Sequence, residues 1–307
     1  MKIAVIGAGH MGRYHAEKFA GQRGVKLAAV VDADGGRAAA LAEKLGTKPL
    51  TDYRELFGKV DAAVIAVPTD RHHAVARDCL EHGLHLLIEK PIATTLAEAD
   101  ELIELAARKE VVLQSGHVER YNKSFRALVA CIERPLFIES ERLAAFKQRG
   151  AEVDVVLDLM IHDLDLACAL ARAEPSGVSA CGFRVLTNDI DIANARIEFE
   201  NGCVANLSAS RVSQAAVRKL RVFQPGLYVS ADLQAGKLRS VRNAGGAIEQ
   251  LDESHPGGDA LADQAAAFAA AVQGKRRVEI DGREGRRALE LGLTVGRLVR
   301  ERLQKFV

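Results

Sequence analysis

The sequence predicts an α/β protein in two parts: a parallel sheet covered by helices, then a sheet that is mostly antiparallel. Over residues 1–118, short β-rich runs alternate with helical runs, which is typical of a doubly wound parallel sheet. From about residue 119 several strands follow one another, and Asn201-Gly202 between two of them indicates a hairpin. The 307 residues, 48% of them hydrophobic, suffice for two packed cores. We therefore predict domains 1–118 and 119–307.

The first part contains five predicted strands and four helices in alternation. Gly46 and Gly83 close the second and third helices. Thr95 and Glu98 form a capping box that opens the fourth helix. Sheets of this kind bind ligands at the carboxyl ends of their strands, so functional residues are expected just after strand ends.

A glycine-rich turn joins the first strand to the first helix. The stretch Gly7–Gly12 reads GAGHMG and matches GxGxxG. Between a strand and a helix, this motif is a dinucleotide-binding fingerprint. Gly7 permits the tight turn, Gly9 lets a pyrophosphate approach the backbone, and Gly12 allows close packing of helix on strand. The alternative is a glycine-rich turn without a ligand.

An acidic residue ends the second strand. Asp32 lies 20 residues after Gly12, where a carboxylate accepts hydrogen bonds from ribose hydroxyls and repels a 2′-phosphate. Arg37 follows closely and could attract that phosphate. We expect NAD as the cofactor, with NADP as the alternative.

The stretch from Val156 to Leu166, VLDLMIHDLDL, places three aspartates and a histidine in an apolar run. Burying ionisable groups is costly unless they are paired or used. On an α-helix predicted over Val153–Ala171, Asp158, His162 and Asp165 fall within about 60° of one another. This polar strip predicts an active-site face, the alternative being a core histidine satisfied by its aspartate. Asp163 lies off the strip and is expected to be structural.

Further motifs give the sequence a family resemblance. They are Glu89-Lys90-Pro91 at a strand end, IAVPTDRHH at the fourth strand, SGHVERYN near residue 118, and DxxxH within LDLMIHD. With the glycine motif, they resemble the Gfo/Idh/MocA oxidoreductases over nearly the whole chain. The resemblance implies a Rossmann domain, a carboxyl-terminal α/β domain on an open, mostly antiparallel sheet, and hydride transfer involving a sugar or polyol hydroxyl.

The resemblance also implies a catalytic group of Lys90, His162 and Asp158. A lysine at a strand end beside the nicotinamide can hydrogen-bond the substrate hydroxyl and stabilise developing negative charge. His162, oriented by Asp158, has a side chain suited to accepting a hydroxyl proton near neutral pH. The alternative for Lys90 is a surface ion pair. In relatives the Lys-Pro bond is often cis.

Other strand-end residues complete the predicted dinucleotide site. Glu89 is expected to orient the lysine or contact the cofactor, Thr69 to cap the next helix or contact the cofactor, and His72 to pack near the dinucleotide. The candidate cofactor-binding residues are Gly7, Gly9, His10, Met11, Gly12, Asp32, Thr69, His72, Glu89 and Lys90.

The segments GHVERYN, DVVLDLMIHDLD and SASRVS resemble a narrower group of nucleotide-sugar dehydrogenases that includes UDP-N-acetylglucosamine 3-dehydrogenases. Arginines are candidate partners for a diphosphate, because a guanidinium binds two oxygens at once, although each arginine alone fits a surface position. The candidate arginines are Arg120, Arg149, Arg211, Arg218 and Arg221. The candidate substrate residues are His117, Arg120, Tyr121, Asn122, Arg149, Asp165 and Arg211.

Composition argues against several other classes. The 42 basic and 41 acidic residues balance, so there is no field to attract nucleic acid or an anionic membrane. No apolar run approaches the ~20 residues of a membrane span. Five cysteines without CxxC pairs indicate reduced thiols, and the His/Asp cluster lacks a third metal ligand. We expect a cytoplasmic protein without a metal.

The sequence thus predicts an NAD-dependent oxidoreductase acting on a secondary sugar hydroxyl, with the 3-hydroxyl of UDP-N-acetylglucosamine as the favoured position. The alternatives are a dehydrogenase of a free polyol, aldose or inositol, and a non-catalytic dinucleotide-sensing regulator. The resemblance also implies a homodimer or homotetramer formed through the open sheet.

Overall fold

A computed structural model describes residues 1–146 and 153–305. The strands are β1 Lys2–Ile6, β2 Lys26–Val31, β3 Lys48–Leu50, β4 Ala62–Ile65, β5 His85–Ile88, β6 Leu113–Ser115, β7 Phe137–Leu143, β8 Pro175–Phe183, β9 Ile192–Phe199, β10 Val204–Ser210, β11 Val217–Gln224, β12 Leu227–Asp232, β13 Lys237–Ala244 and β14 Ala247–Ser254. The helices are α1 His10–Ala20, α2 Gly35–Leu45, α3 His72–Glu81, α4 Leu96–Arg108, α5 Lys123–Cys131, α6 Ile161–Ala171, α7 Ala260–Val272 and α8 Gly282–Leu303.

The chain forms two compact units. The first comprises Met1–Val118 and Asp259–Leu289, and the second comprises the described residues of Glu119–Gly258 and Glu290–Val307. The helix α8 therefore contributes its first turns to one unit and its remainder to the other. Within the described ranges, no helix is long and apolar enough to cross a membrane.

The first unit is built on a six-stranded parallel sheet in the order β3-β2-β1-β4-β5-β6. The central strands β1, β4 and β5 contain buried, apolar runs such as the AVI of β1 and the LLI of β5, as expected for a sheet covered on both faces. Phe19 of α1 and Phe268 of α7 pack edge to face, with ring centroids 6.3 Å apart. The predicted Rossmann fold is confirmed, and the capping box of Thr95 and Glu98 is present.

The second unit is built on an eight-stranded sheet in the order β14-β13-β12-β11-β7-β10-β9-β8. Among the described strands of this sheet only β7 and β10 pair in parallel, so the sheet is mostly antiparallel, as predicted. The hairpin at Asn201-Gly202 is confirmed, with Gly202 at φ +83°. One sheet face carries the apolar core, since buried and exposed residues alternate strictly along β9.

Several elements are not predicted from the sequence. They are the three-residue β3, the hairpin of β13 and β14, and the alanine-rich α7. Along β14 almost every residue is exposed, so this edge strand lacks the apolar alternation by which strands are recognised. The helix α5 begins at Lys123, because Asn122 caps it after the short 3-10 turn Val118–Tyr121.

Candidate active site

The glycine loop of the first unit has the shape that a dinucleotide requires. Gly7 has φ +101°, and a Cβ atom on Gly12 would lie 1.7 Å from the Gly7 carbonyl oxygen. Neither position accepts a side chain. A Cβ atom on Gly9 would meet no heavy atom within 4 Å, so its exposed backbone at the start of α1 is open to a pyrophosphate. These residues fit NAD.

Asp32 is held at the end of β2 by the neighbouring backbone. Its carboxylate accepts the N–H of Ala8 at 2.7 Å and of Asp34 at 2.9 Å, and it pairs with Arg37 at 3.0 Å. Burial raises the pKa of the Asp32 carboxyl, but these hydrogen bonds outweigh burial, and the pKa lies below its ordinary value. An ionised carboxylate is therefore ready for the ribose hydroxyls.

Lys90 follows β5 and is joined to Pro91 by a cis peptide bond. The preceding Glu89 is nearly buried, and its Oε1 lies 2.6 Å from Nε2 of His15. Its Oε2 accepts the backbone N–H of Lys90 at 3.2 Å. Burial raises the pKa of the Glu89 carboxyl. The hydrogen bond from His15 and the charge of Lys90 together outweigh burial, so this pKa lies below its usual value.

His72 connects the loops that follow two strands. Its Nδ1 lies 2.8 Å from the Pro91 carbonyl oxygen and its Nε2 3.0 Å from that of Val67. Burial lowers the pKa of His72 despite both carbonyls, and a neutral ring donates to one carbonyl at a time. Thr69 begins the 3-10 turn that leads into α3.

The remaining predicted residues of this unit are distributed as follows. His10 is exposed at the first turn of α1, with its ring edge-on to Tyr14. Met11 is half-buried, and His117 is almost completely buried after β6.

His162 of the second unit follows a π turn. Residues Val156–Met160 form this turn, and α6 begins at Ile161. The prediction of an unbroken α-helix from Val153 to Ala171 is therefore wrong over this stretch. A π turn holds more residues than an α turn, so the calculated angle between Asp158 and His162 does not apply. Both side chains are half-buried, and π turns occur frequently at functional sites.

The residue after His162 is held by a buried ion-pair network. Both carboxylate oxygens of Asp163 bind the Arg142 guanidinium, at 2.8 and 3.1 Å. A third N–H of Arg142 binds Glu119 at 2.9 Å, and Glu119 also pairs with Arg218 at 3.2 Å. Asp163 thus has the structural role expected for it, and it ties α6 to β7.

Two predicted substrate residues bind each other. Asp165 is buried and accepts two N–H groups from Arg120, at 2.7 and 2.9 Å. The Arg120 side chain remains 16% exposed. Asp165 therefore holds Arg120 in a fixed orientation rather than facing solvent itself.

Arg211 binds the backbone just before the π turn. It is buried and donates to the carbonyl oxygens of Val153 and Ile190, and its Nε lies 3.7 Å from Asp191. A buried guanidinium with these partners holds the local backbone, and a contact of Arg211 with a diphosphate stays a prediction. Arg221 likewise pairs with Glu139 and Glu141 on the sheet.

Two other predicted substrate residues also have partners within the protein. The oxygen of the Asn122 side chain caps α5, and its nitrogen donates to the Leu233 carbonyl at 2.9 Å. Asn122 is therefore the capping residue of α5, and its contact with a substrate stays a prediction. Tyr121 is completely buried, with the Arg126 guanidinium 4.8 Å from its ring centroid. The predicted substrate residue Arg149 lies outside the described residues.

Four residues at these sites were not predicted from the sequence. His15 lies three residues after the packed Gly12, on the side of α1 that faces the sheet, so helical periodicity could have predicted its burial. Arg142 occupies an inward position of the alternating strand β7, a signal that a buried partner is needed. Its partner Glu119 and the loop residue Asp191 gave no comparable signal. Within residues 1–146 and 153–305, no cluster of three potential metal ligands is present.

Comparison with known proteins identifies the family. A sequence model of the Gfo/Idh/MocA oxidoreductase family, described by its NAD-binding Rossmann fold, matches residues 1–117, and one of the family's C-terminal domain matches residues 137–224. UDP-N-acetylglucosamine 3-dehydrogenase of Acidithiobacillus ferrooxidans is 39% identical over 99% of each chain. The chain belongs to the Gfo/Idh/MocA oxidoreductase family. It is an NAD-dependent dehydrogenase, as predicted.

A solved structure of the same relative and one further relative extend the comparison. A solved structure of the Acidithiobacillus ferrooxidans dehydrogenase superposes with a TM-score of 0.93 over 97% of each chain. The scyllo-inositol 2-dehydrogenase (NAD(+)) of Bacillus subtilis is 30% identical but covers 69% of this chain and 68% of its own. The first likeness spans both units, whereas the second leaves about a third of each chain unmatched.

Proposed function

We propose that this Gfo/Idh/MocA dehydrogenase oxidises the 3-hydroxyl of UDP-N-acetylglucosamine. The observation that carries the proposal is the 39% identity to the UDP-N-acetylglucosamine 3-dehydrogenase, which extends over 99% of both chains. The inositol dehydrogenase of Bacillus subtilis covers only 69% of this chain. The likeness that extends over nearly the whole of both chains is the better guide to substrate.

The proposed chemistry assigns a role to three side chains. His162 accepts the proton of the secondary hydroxyl, and Asp158 orients the imidazole and stabilises its protonated form. The Lys90 ammonium donates a hydrogen bond to the same hydroxyl oxygen and stabilises negative charge as the proton leaves. NAD, when bound, supplies the nicotinamide that takes the hydride from the carbon bearing the hydroxyl. The carbon becomes a ketone, and the proton stays on His162 until it is lost to solvent.

Arg120 is the arginine that we propose for the diphosphate. Asp165 holds it through two hydrogen bonds, and the side chain is partly exposed. A guanidinium fixed in this way loses little conformational freedom when it binds phosphate oxygens. Arg218, which is half-exposed and paired with Glu119, is a second candidate.

NADH formation tests the substrate. The purified protein with NAD should give NADH absorbance with UDP-N-acetylglucosamine and none with free N-acetylglucosamine or myo-inositol. Turnover of myo-inositol instead would favour a polyol dehydrogenase. Tight NAD binding without turnover of any substrate would favour a dinucleotide-sensing regulator.

We also propose that the chain assembles as a homodimer or homotetramer through the open face of the second sheet. Alternate residues of β9 are exposed on this face, among them Ile192, Asn194 and Arg196. Light scattering on the eluting protein should give two or four times the monomer mass. A monomeric mass at micromolar concentration would contradict the assembly.

A further inference from the structure

A buried acid–base pair joins the dinucleotide helix to the lysine loop. His15 of α1 has no exposed side-chain surface, and Glu89 has 9%. The distance from His15 Nε2 to Glu89 Oε1 is 2.6 Å. An ionised carboxylate can only accept a hydrogen bond, so the His15 ring donates through Nε2. Burying such a pair gives little net stability compared with apolar side chains of the same volume, so its presence suggests a role beyond packing.

The second oxygen of Glu89 acts on Lys90. Oε2 accepts the Lys90 backbone N–H at 3.2 Å, so one carboxylate bridges α1 and the backbone of Lys90. Gly116 packs closely on the same segment, since a Cβ atom there would lie 2.8 Å from the Glu89 Cα and 3.1 Å from the Lys90 nitrogen. His72 holds the next carbonyl, that of Pro91. The loop is thus fixed by contacts on each side of Lys90.

The helix at the other end of this bridge is the one that receives the cofactor. Its first residue, His10, directly follows Gly9 of the pyrophosphate loop, and His15 lies less than two turns further on. A rigid helix transmits its position over that distance. Any displacement of α1 is therefore passed through His15 and Glu89 to the backbone of Lys90.

We propose that His15 and Glu89 are positioning residues, which set the orientation of Lys90 from the helix that binds the dinucleotide. The inference rests on the proposed function, in which Lys90 contacts the substrate hydroxyl. Neither His15 nor Glu89 needs to touch the substrate for this role. A pair that only fills the core would affect the free energy of unfolding without a specific effect on the chemical step.

The test compares His15→Leu with His15→Gln at saturating NAD and UDP-N-acetylglucosamine. Leucine removes the donor, and a misplacement of about 1 Å at a reacting group can reduce the rate about 100-fold. We expect kcat to fall by about 10- to 100-fold in His15→Leu while the dissociation constant of NADH, measured by fluorescence, stays unchanged. Glutamine offers an N–H at the place of Nε2, so His15→Gln should restore most of kcat.

A double substitution decides whether the effect passes through Lys90. In a Lys90→Ala background, His15→Leu should cause no further loss of kcat. An equal loss in both backgrounds, or a weaker NADH affinity at unchanged kcat, would overturn the proposal. Glu17→Gln is the matched control, because Glu17 lies on the same helix but forms an exposed ion pair with Lys44 at 2.7 Å; it should leave kcat unchanged.

A second measurement separates this proposal from the substrate assignment. If the wild-type protein turns over no substrate, the proposed function fails. Amide hydrogen exchange then tests whether His15 and Glu89 couple α1 to Lys90. NAD should slow exchange of the Lys90 amide in the wild type but not in His15→Leu. Equal slowing in both proteins would show that Glu89 and His15 do not couple α1 to Lys90. If His15→Leu fails to fold, Glu89→Gln replaces it in the same hydrogen-exchange measurement.

Discussion

The glycine loop and the helix that carries His162 are built in different ways. The loop depends on backbone geometry within a few consecutive residues, from Gly7 to Gly12, and neither of these two glycines accepts a Cβ atom. The α6 helix depends on side-chain ion pairs to distant residues, since Arg142 and Arg120 lie 21 and 45 positions from their aspartates. A local backbone motif can be predicted from the sequence. A network of distant charges is set by the fold, and a single substitution can disrupt it.

The largest effect is expected from removing one proposed catalytic group in each unit. General acid–base groups contribute about 10²- to 10⁴-fold to rate, so Lys90→Ala and His162→Ala should each reduce kcat by about that factor. NADH binding by His162→Ala should remain near that of the wild type, because His162 belongs to the unit without the glycine loop. Steady-state NADH formation and fluorescence titration measure the two quantities. Wild-type kcat in both variants would refute the site assignment.

The fold was predictable where local chemistry is strong. Buried apolar strands, the glycine loop and the capping box at Thr95 all follow from short segments. The edge strand β14 was not, because its residues are exposed on both sides and show no alternation. The site was predictable in part: Asp32 follows from its spacing, but the partners of Asp163 and Arg211 do not, since nothing in a linear sequence specifies which distant carbonyl or carboxylate a buried arginine meets.

The next largest effect is expected from the network around α6. Arg142→Met leaves Asp163 and Glu119 buried without their main partner, and breaking a buried ion pair in this way costs about 3–5 kcal/mol. Urea unfolding should therefore show a loss of about that size. Arg196→Met is the control, because its pair with Glu198 is exposed and contributes at most about 1 kcal/mol. Similar stabilities for the two variants would mean that ion pairs do not hold this helix.

A smaller effect is expected at Asp191, which lies in the loop between β8 and β9. Burial raises the pKa of this carboxyl, but the N–H groups of Val185, Leu186 and Thr187 and the Thr187 hydroxyl outweigh it, giving a pKa of about 2 against an ordinary 3.8. A lowered folded-state pKa stabilises the protein above pH ~4, and the contribution of about 2 kcal/mol is lost as the pH falls towards 2.

Asp191→Asn tests that contribution directly. The variant should be about 2 kcal/mol less stable in urea at pH 7 and should differ little from the wild type at the acid end of the range. The comparison therefore needs unfolding curves at several pH values between 7 and 2. A constant difference across this range would show that the lost stability comes from altered geometry rather than from the charge.

The smallest effect is expected at the cofactor site. The backbone of the glycine loop forms this site, and the Asp32 side chain only selects between NAD and NADP. Asp32→Asn keeps an oxygen for the Ala8 N–H but removes the charge that holds Arg37, and an arginine released there can pair with a 2′-phosphate. The ratio of kcat/KM for NAD to that for NADP should fall about tenfold, or about 1.4 kcal/mol. Adding Arg37→Ala should abolish the gain with NADP. A gain that survived this second change would show that the 2′-phosphate is bound elsewhere, and that loss of repulsion alone explains the shift.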